Sequence, residues 1–247
     1  MLAVKSARAY PTLSSNILRR IRDMPWQLSE LKESIFPSEL GDLCRLVAPY
    51  TMLGYGRLRG LYRGVHRVVR ENVRGDFVEC GTARGGSAAL IGLTLKRLNA
   101  ERRLWVFDTF TGLPAPTKDD PDYDIAKNYT GTCVGTLDEV RDLLARYDIL
   151  EDTTLVKGLF QDTLAGAAIG EIAFLHIDGD WYDSVQCCLE SLYARVTPGG
   201  IIQIDDYGHW AGARKAADEF LHKNAVHASL RYLDYTGRQF SKPLVRT

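Results

Sequence analysis

A chain of 247 residues with 45% apolar, 25% charged and 10% aromatic side chains can build one folded core with decoration, and it lacks the signature of disorder. Its 31 Lys and Arg balance 31 Asp and Glu, which argues against nucleic acid or a membrane surface as partner and toward small molecules. Five cysteines without a C-x-x-C pair argue against a disulfide framework or zinc ribbon, and no apolar run approaches the roughly 18 residues that span a bilayer. With no signal-peptide pattern at the N-terminus, a cytoplasmic protein is expected.

The charge is unevenly spread: residues 1–75 hold 13 Lys and Arg against 6 Asp and Glu, and residues 76–247 hold 18 against 25. The first stretch reads as an N-terminal helical extension. In it Arg57, Arg59, Arg63, Arg67 and Arg70 alternate with Leu58, Leu61, Val65 and Val68, a pattern that fits a solvated basic helix face or an anion or partner site. Tyr10, Trp26, Tyr50 and Tyr55 are either core residues or the lining of a substrate pocket, which would make residues 1–75 a cap over the domain at 76–247.

Beyond the extension, short β-rich runs alternate with helical patterns, which predicts an α/β fold with a mainly parallel sheet. Asp76–Gly81 is the first strand, followed by a helix over about Gly86–Leu98, and Leu104–Asp108 is the second. A long polar loop over about Thr111–Gly135 is of the kind that often forms a lid. Thr136 and Glu139 form a capping box for a helix reaching about Tyr147. Thr154–Lys157, Ile172–Asp178 and Gly200–Asp205 supply three more strands, the last after a turn at Pro198-Gly-Gly, with helices over about 183–195 and 211–222. Leu230–Tyr235 and Gln239–Lys242 flank Thr236-Gly-Arg238 as an antiparallel hairpin. Five parallel strands with a terminal hairpin and helices on both faces resemble the Rossmann-like class I methyltransferase plan.

In such sheets ligands bind at the carboxyl ends of the strands. The first strand runs into Gly81, Gly85 and Gly86, where a ligand can approach the backbone and a helix N-terminus, and Asp108 ends the second strand where an acid can bind ribose hydroxyls. The segment is neither G-x-G-x-x-G nor a P-loop. Turn and acid together point to an adenosyl cofactor, or else to a tight turn and a cap. Asp178-Gly-Asp180, with Asp183 beyond, ends the fourth strand and Asp205-Asp206 the fifth. Neighbouring strands lie about 4.8 Å apart, so these acids crowd one site. A hard cation such as magnesium relieves that repulsion; separate helix-capping roles are the alternative. His176 on a strand reads as a core residue, and His209 on the loop after the acids is a candidate substrate contact and reserve proton acceptor.

At these residues the chain resembles the macrocin O-methyltransferase family. The resemblance runs over about Pro49 to Phe220 and rests on Pro49-Tyr-Thr-Met52, Gly75-Asp-Phe-Val-Glu-Cys-Gly81 with Arg84-Gly-Gly86, Phe107-Asp-Thr-Phe-Thr-Gly-Leu-Pro114, Lys157-Gly-Leu-Phe-Gln-Asp-Thr-Leu164, His176-Ile-Asp-Gly-Asp-Trp-Tyr-Asp183 and Pro198-Gly-Gly with Asp205-Asp-Tyr207. It implies an S-adenosylmethionine-dependent O-methyltransferase acting on a hydroxyl of a sugar or glycosylated natural product. It further implies magnesium on Asp178, Asp205 and Asp206, Asp180 as general base, and cofactor contacts at Thr51, Glu79, Gly81, Ser87, Asp108, Phe160, Gln161 and Asp162. Thr82 and Ala83 depart from the bulkier residue usual before Arg84. A catechol-type methyltransferase, a nicotinamide-dependent oxidoreductase and an inactive cofactor-binding protein are the rival readings. By analogy of fold, a homodimer through the N-terminal helices is expected.

Overall fold

The computed structural model describes residues 38–244; Tyr10, Trp26 and the first part of the N-terminal extension lie outside them. The chain order is α1 (Glu39–Val47), α2 (Tyr55–Arg70), β1 (Asp76–Cys80), α3 (Gly86–Arg97), β2 (Leu104–Asp108), α4 (Tyr123–Ala126), α5 (Leu137–Arg146), β3 (Thr153–Lys157), α6 (Phe160–Thr163), β4 (Ile172–Ile177), α7 (Tyr182–Leu192), β5 (Val196–Ile204), α8 (Ala211–Lys223), β6 (Arg231–Tyr232) and β7 (Arg238–Ser241). The seven strands form one sheet in the order β3-β2-β1-β4-β5-β7-β6. β1 to β5 pair in parallel, while β7 runs antiparallel to β5 and to β6. The strand order reverses between β1 and β4, and that is where a doubly wound sheet opens its ligand crevice.

Period-two alternation along the strands feeds two cores. Phe77, Phe174 and Ile201 pack with α1, α2, α3 and α5. Their strand neighbours Val78, Leu175 and Ile202 pack on the other face with α7 and α8. The described part of the extension therefore joins the main core, with Leu43, Val47, Leu61, Val65 and Val68 buried in it.

Local signals fix the ends of several helices. Ser38 Oγ accepts the Gly41 N–H at the start of α1, and the capping box of Thr136 and Glu139 opens α5. Helix α2 lies unusually close to the sheet because Gly56, Gly60 and Gly64 stack along one face. A Cβ at Gly60 would stand 2.7 Å from Gln203 Oε1, and one at Gly64 2.3 Å from Phe174 Cε2.

Two expectations need correction. β5 begins at Val196, so Pro198-Gly-Gly is not a turn before the strand but an irregularity within it, where the pairing with β4 shifts register. The loop over 111–135 is also not plain loop. It holds α4 and a 3-10 turn at Lys127–Tyr129, and its own carboxylates tie it to neighbouring helices.

Candidate active site

The parallel ladder continues one residue past the strand ends, and this lines up the site. Gly81 N–H donates to Phe107 O at 2.8 Å, Asp178 N–H to Cys80 O at 2.8 Å and Asp205 N–H to Ile177 O at 2.9 Å. The glycine turn and the two acid-bearing loops thus stand side by side at the switch point. Contact between them is close, because a Cβ at Gly81, whose φ is +89°, would lie 1.9 Å from Asp178 O.

Four carboxylates converge beyond the ends of β4 and β5. One donor atom each from Asp178, Asp180 and Asp206 lies within 4.8 Å of the others, and so does one each from His176, Asp178 and Asp205. Asp178 belongs to both groups. Burial, then Asp205, Asp206 and Asp180 as like charges, push its carboxyl well above the usual range. Burial and the charges of Asp180 and Asp205 do the same to Asp206. Asp180 is pushed up to about 6 by burial, against the hydrogen bond from Trp210. Asp205 behaves oppositely: burial works to raise it, but Arg57 and His176 outweigh burial and hold it below the usual range.

Arg57, expected on a solvated face or at an anion site, is the cation that decides this. The structure turns it inward from α2 to pair with Asp205, with Nε 3.2 Å from Asp234 Oδ2. The glycine stripe on α2 was the available signal, since a helix pressed onto the sheet edge carries its neighbouring side chains to the strand ends.

His176, expected in the core, is buried there and also forms part of the floor beneath the acids. Its Nδ1 lies 2.9 Å from Glu79 Oε1, and its Nε2 lies 3.6 Å from Asp205 Oδ1, longer than a hydrogen bond. Burial would lower its pKa, but the two facing carboxylates carry it up to about 9. Glu79, His176, Gln203 and Gln239 are register neighbours on β1, β4, β5 and β7. They make a buried polar row under α2, closed by Gln239 Nε2 donating to Gly60 O at 3.1 Å.

A cavity of about 540 Å³ opens over the acids, within the size range of small-molecule sites. Gly81, Asp108, Phe160, Gln161, Asp178, Asp180, Asp205, Asp206 and His209 all line it. Asp108 also holds the glycine turn: Oδ2 accepts the N–H groups of Thr82 (2.8 Å) and Ala83 (3.1 Å), and Oδ1 that of Phe110 (2.7 Å). Burial raises its pKa, and these three donors oppose the rise.

Thr51, Glu79, Ser87 and Asp162 are not among the lining residues, nor are Tyr50 and Tyr55. Glu79 is fully buried, with Oε2 lacking a hydrogen-bond partner. Thr51 packs against the start of α3, where a Cβ at Gly86 would stand 2.7 Å from its own Cβ. The lining adds Tyr129 and Tyr235, which no sequence signal placed at the site, together with Arg57 from the basic helix and Met52 and Leu159 from the motifs of the resemblance. Tyr235 Oη lies 3.1 Å from His209 Nδ1 on the exposed rim.

The carboxylates suit a hard divalent cation, but the group made of acids alone is Asp178, Asp180 and Asp206, whereas Asp205 converges with Asp178 and His176. Asp205 Oδ1 and Asp206 Oδ2 are buried oxygens without hydrogen-bond partners, and carboxylate oxygens are the ligands such ions prefer. No helix among the described residues is long and apolar enough to cross a membrane.

Residues 41–242 match the family model described as macrocin-O-methyltransferase (TylF). The chain belongs to this family. As a macrocin O-methyltransferase family member it is an O-methyltransferase, which sets aside the oxidoreductase reading. It is 35% identical over 193 residues to the 8-demethyl-8-(2,3-dimethoxy-alpha-L-rhamnosyl)-tetracenomycin-C 4'-O-methyltransferase of Streptomyces olivaceus, across 76% of this chain and 74% of that protein. It is 32% identical over 195 residues to the mycinamicin III 3''-O-methyltransferase of Micromonospora griseorubida, across 76% of each. Among solved structures, the O-methyltransferase NovP superposes with a TM-score of 0.73 at 32% identity, covering 79% of this chain and 83% of that one.

Proposed function

We propose that this family member transfers the methyl group of S-adenosylmethionine to a sugar hydroxyl of a glycosylated natural product, with magnesium held by Asp178, Asp205 and Asp206. One observation carries the reading: the glycine turn and Asp108 share a single cavity with the acid cluster, so donor and acceptor sites adjoin. The relative from Streptomyces olivaceus, named for methylation of a rhamnosyl tetracenomycin, supports the acceptor class.

Gly81, Asp108, Phe160 and Gln161 would contact the cofactor directly, while Thr51, Glu79, Ser87 and Asp162 act through the turn and helix they support. Magnesium, when bound, would supply a positive charge that lowers the pKa of the acceptor hydroxyl. Asp180 is the proton acceptor. Its Oδ1 takes the Trp210 indole N–H at 3.0 Å, which orients the carboxylate and leaves the other oxygen for the hydroxyl proton. As that proton moves to Asp180, the hydroxyl oxygen forms a bond to the methyl carbon. S-adenosylmethionine, when bound, would supply that methyl group and keep the bonding electron pair on sulfur, leaving S-adenosylhomocysteine. A cavity that holds both reactants together lowers the entropic cost of a bimolecular step. A homodimer is part of the same proposal, to be checked by light scattering, and a cytoplasmic location by cell fractionation.

Asp180→Asn tests the assignment. Loss of a general base typically costs about 100- to 10,000-fold in rate, so kcat falls by that factor while magnesium and S-adenosylhomocysteine affinities hold. Asp205→Asn instead weakens magnesium binding and is partly rescued by excess metal. Rescue of Asp180→Asn by excess magnesium would make Asp180 a ligand and return the proton to His209.

A further inference from the structure

The segment between β2 and α5 reaches the starts of both helices that follow the acid-bearing loops. α7 begins directly after Asp178-Gly-Asp180, and α8 begins a few residues after Asp205-Asp206. Each has a tryptophan at its N-cap, Trp181 and Trp210, and neither makes a side-chain capping bond. A helix start leaves its first N–H groups without intrahelical acceptors. Here the acceptors come from more than sixty residues away in sequence. Asp120 Oδ1 accepts the Tyr182 N–H at 2.7 Å, and Asp122 Oδ2 accepts the Ala211 N–H at 2.7 Å.

These carboxylates stand two residues apart on one strap, so the strap spaces the two helix starts like a bar. It is firmly seated. Asp120 is 3% exposed, and Gly212 at the start of α8 packs so closely on it that a Cβ would lie 2.0 Å from Oδ1. The Trp181 indole N–H donates to Pro114 O at 2.8 Å, Lys215 Nζ donates to Asp119 O at 3.1 Å, and Tyr129 packs edge-on to Trp210 at 5.4 Å. An anion at a helix N-terminus also meets the positive end of the macrodipole, so each carboxylate is favoured where it sits.

The acids of the site repel one another, each raising the pKa of its neighbours. We infer that Asp120 and Asp122 are positioning residues, which set the spacing between the Asp178–Asp180 loop and the Asp205–Asp206 loop and thereby the geometry of the acid cluster. Neither lines the cavity, so they act through α7 and α8. The inference rests on the proposed role of the acids. It also means that the strap is held down rather than poised to swing.

The test uses the full chain with Asp120→Ala, Asp122→Ala and the corresponding Asn variants. Removing a hydrogen-bonding partner of a metal ligand typically costs about 10- to 100-fold in metal affinity or activity, and a partner that positions the ligand loop through a helix is expected to reach the lower end of that range. The Ala variants are expected to bind magnesium more weakly and to lose kcat by that factor. Their affinity for S-adenosylhomocysteine should stay near wild type, because Gly81 and Asp108 are untouched. The Asn variants keep an acceptor oxygen and should recover most of both losses. Ala variants with unchanged magnesium affinity and kcat would overturn the inference. So would a parallel loss of magnesium affinity, cofactor affinity and thermal stability that Asn does not rescue.

A second measurement needs no variant. The Tyr182 and Ala211 amides, first in their helices, should exchange with solvent as slowly as amides in the next turn; exchange at the rate of free amides overturns the proposal even if the Ala variants fail to fold. Should wild-type protein bind no magnesium, the metal assignment fails, while amide exchange and the kcat pattern still judge the strap.

Discussion

Arg57 and Asp205 form an ion pair between α2 and the end of β5, with side chains 14% and 1% exposed. The pair gives the acid cluster its one positive partner from an arginine or lysine among the described lining residues, half-buried on the Arg57 side and fully buried on the Asp205 side. Removing one member of a buried pair costs about 3–5 kcal/mol, because the other charge is left uncompensated. Arg57→Met should therefore lower stability by about that amount at neutral pH in the absence of metal. Added magnesium should stabilise the variant more than wild type, since it restores a positive charge beside Asp205. Urea denaturation with and without magnesium reads both effects, and equal stability of variant and wild type would remove Arg57 from this role.

Asp108 serves the turn as well as the cavity. Asp108→Ala strips the acceptor from three backbone N–H groups, and each unsatisfied buried donor costs about 1–3 kcal/mol. Stability and affinity for S-adenosylhomocysteine should both fall, and Asp108→Asn should retain part of each. Calorimetry and denaturation on the same samples check this. Loss of affinity with stability unchanged would instead assign Asp108 to the ligand alone.

Gly81 should tolerate no side chain. Both its φ of +89° and the 1.9 Å approach of a Cβ to Asp178 O oppose alanine, and relief requires moving the backbone of the acid loop. Gly81→Ala is expected to lose more than about 3 kcal/mol. Gly131, with φ +75° and nothing within 4 Å, isolates the backbone cost alone, about 1–2 kcal/mol for alanine. Similar losses at the two positions, read by thermal denaturation, would show that the contact with Asp178 is not tight.

The sequence revealed the elements with strong local signals. The short β-rich runs, the capping box at Thr136 and the acids at two strand ends all lie where the pattern put them, because each depends on near neighbours. Less legible were groups whose role depends on distant partners. Arg57 read as one basic residue among five, although Gly56, Gly60 and Gly64 beside it marked a helix drawn tightly against the sheet. Asp120 and Asp122 carry no signal of their own within the long polar loop, since their partners are backbone amides of helices far along the chain. The bulge at Pro198-Gly-Gly read as a turn, because only the register with β4 shows the strand continuing through it.

Labelled methyl transfer from S-adenosylmethionine into a panel of glycosides, sugar nucleotides and catechols, with and without chelator, tests the central claim most directly. The expected result is label on a glycoside hydroxyl, abolished by chelator and restored by magnesium, with S-adenosylhomocysteine affinity largely unchanged throughout. Full transfer in excess chelator, with no metal found by elemental analysis, would contradict the role given to Asp178, Asp205 and Asp206, and label appearing only on catechols would contradict the acceptor class.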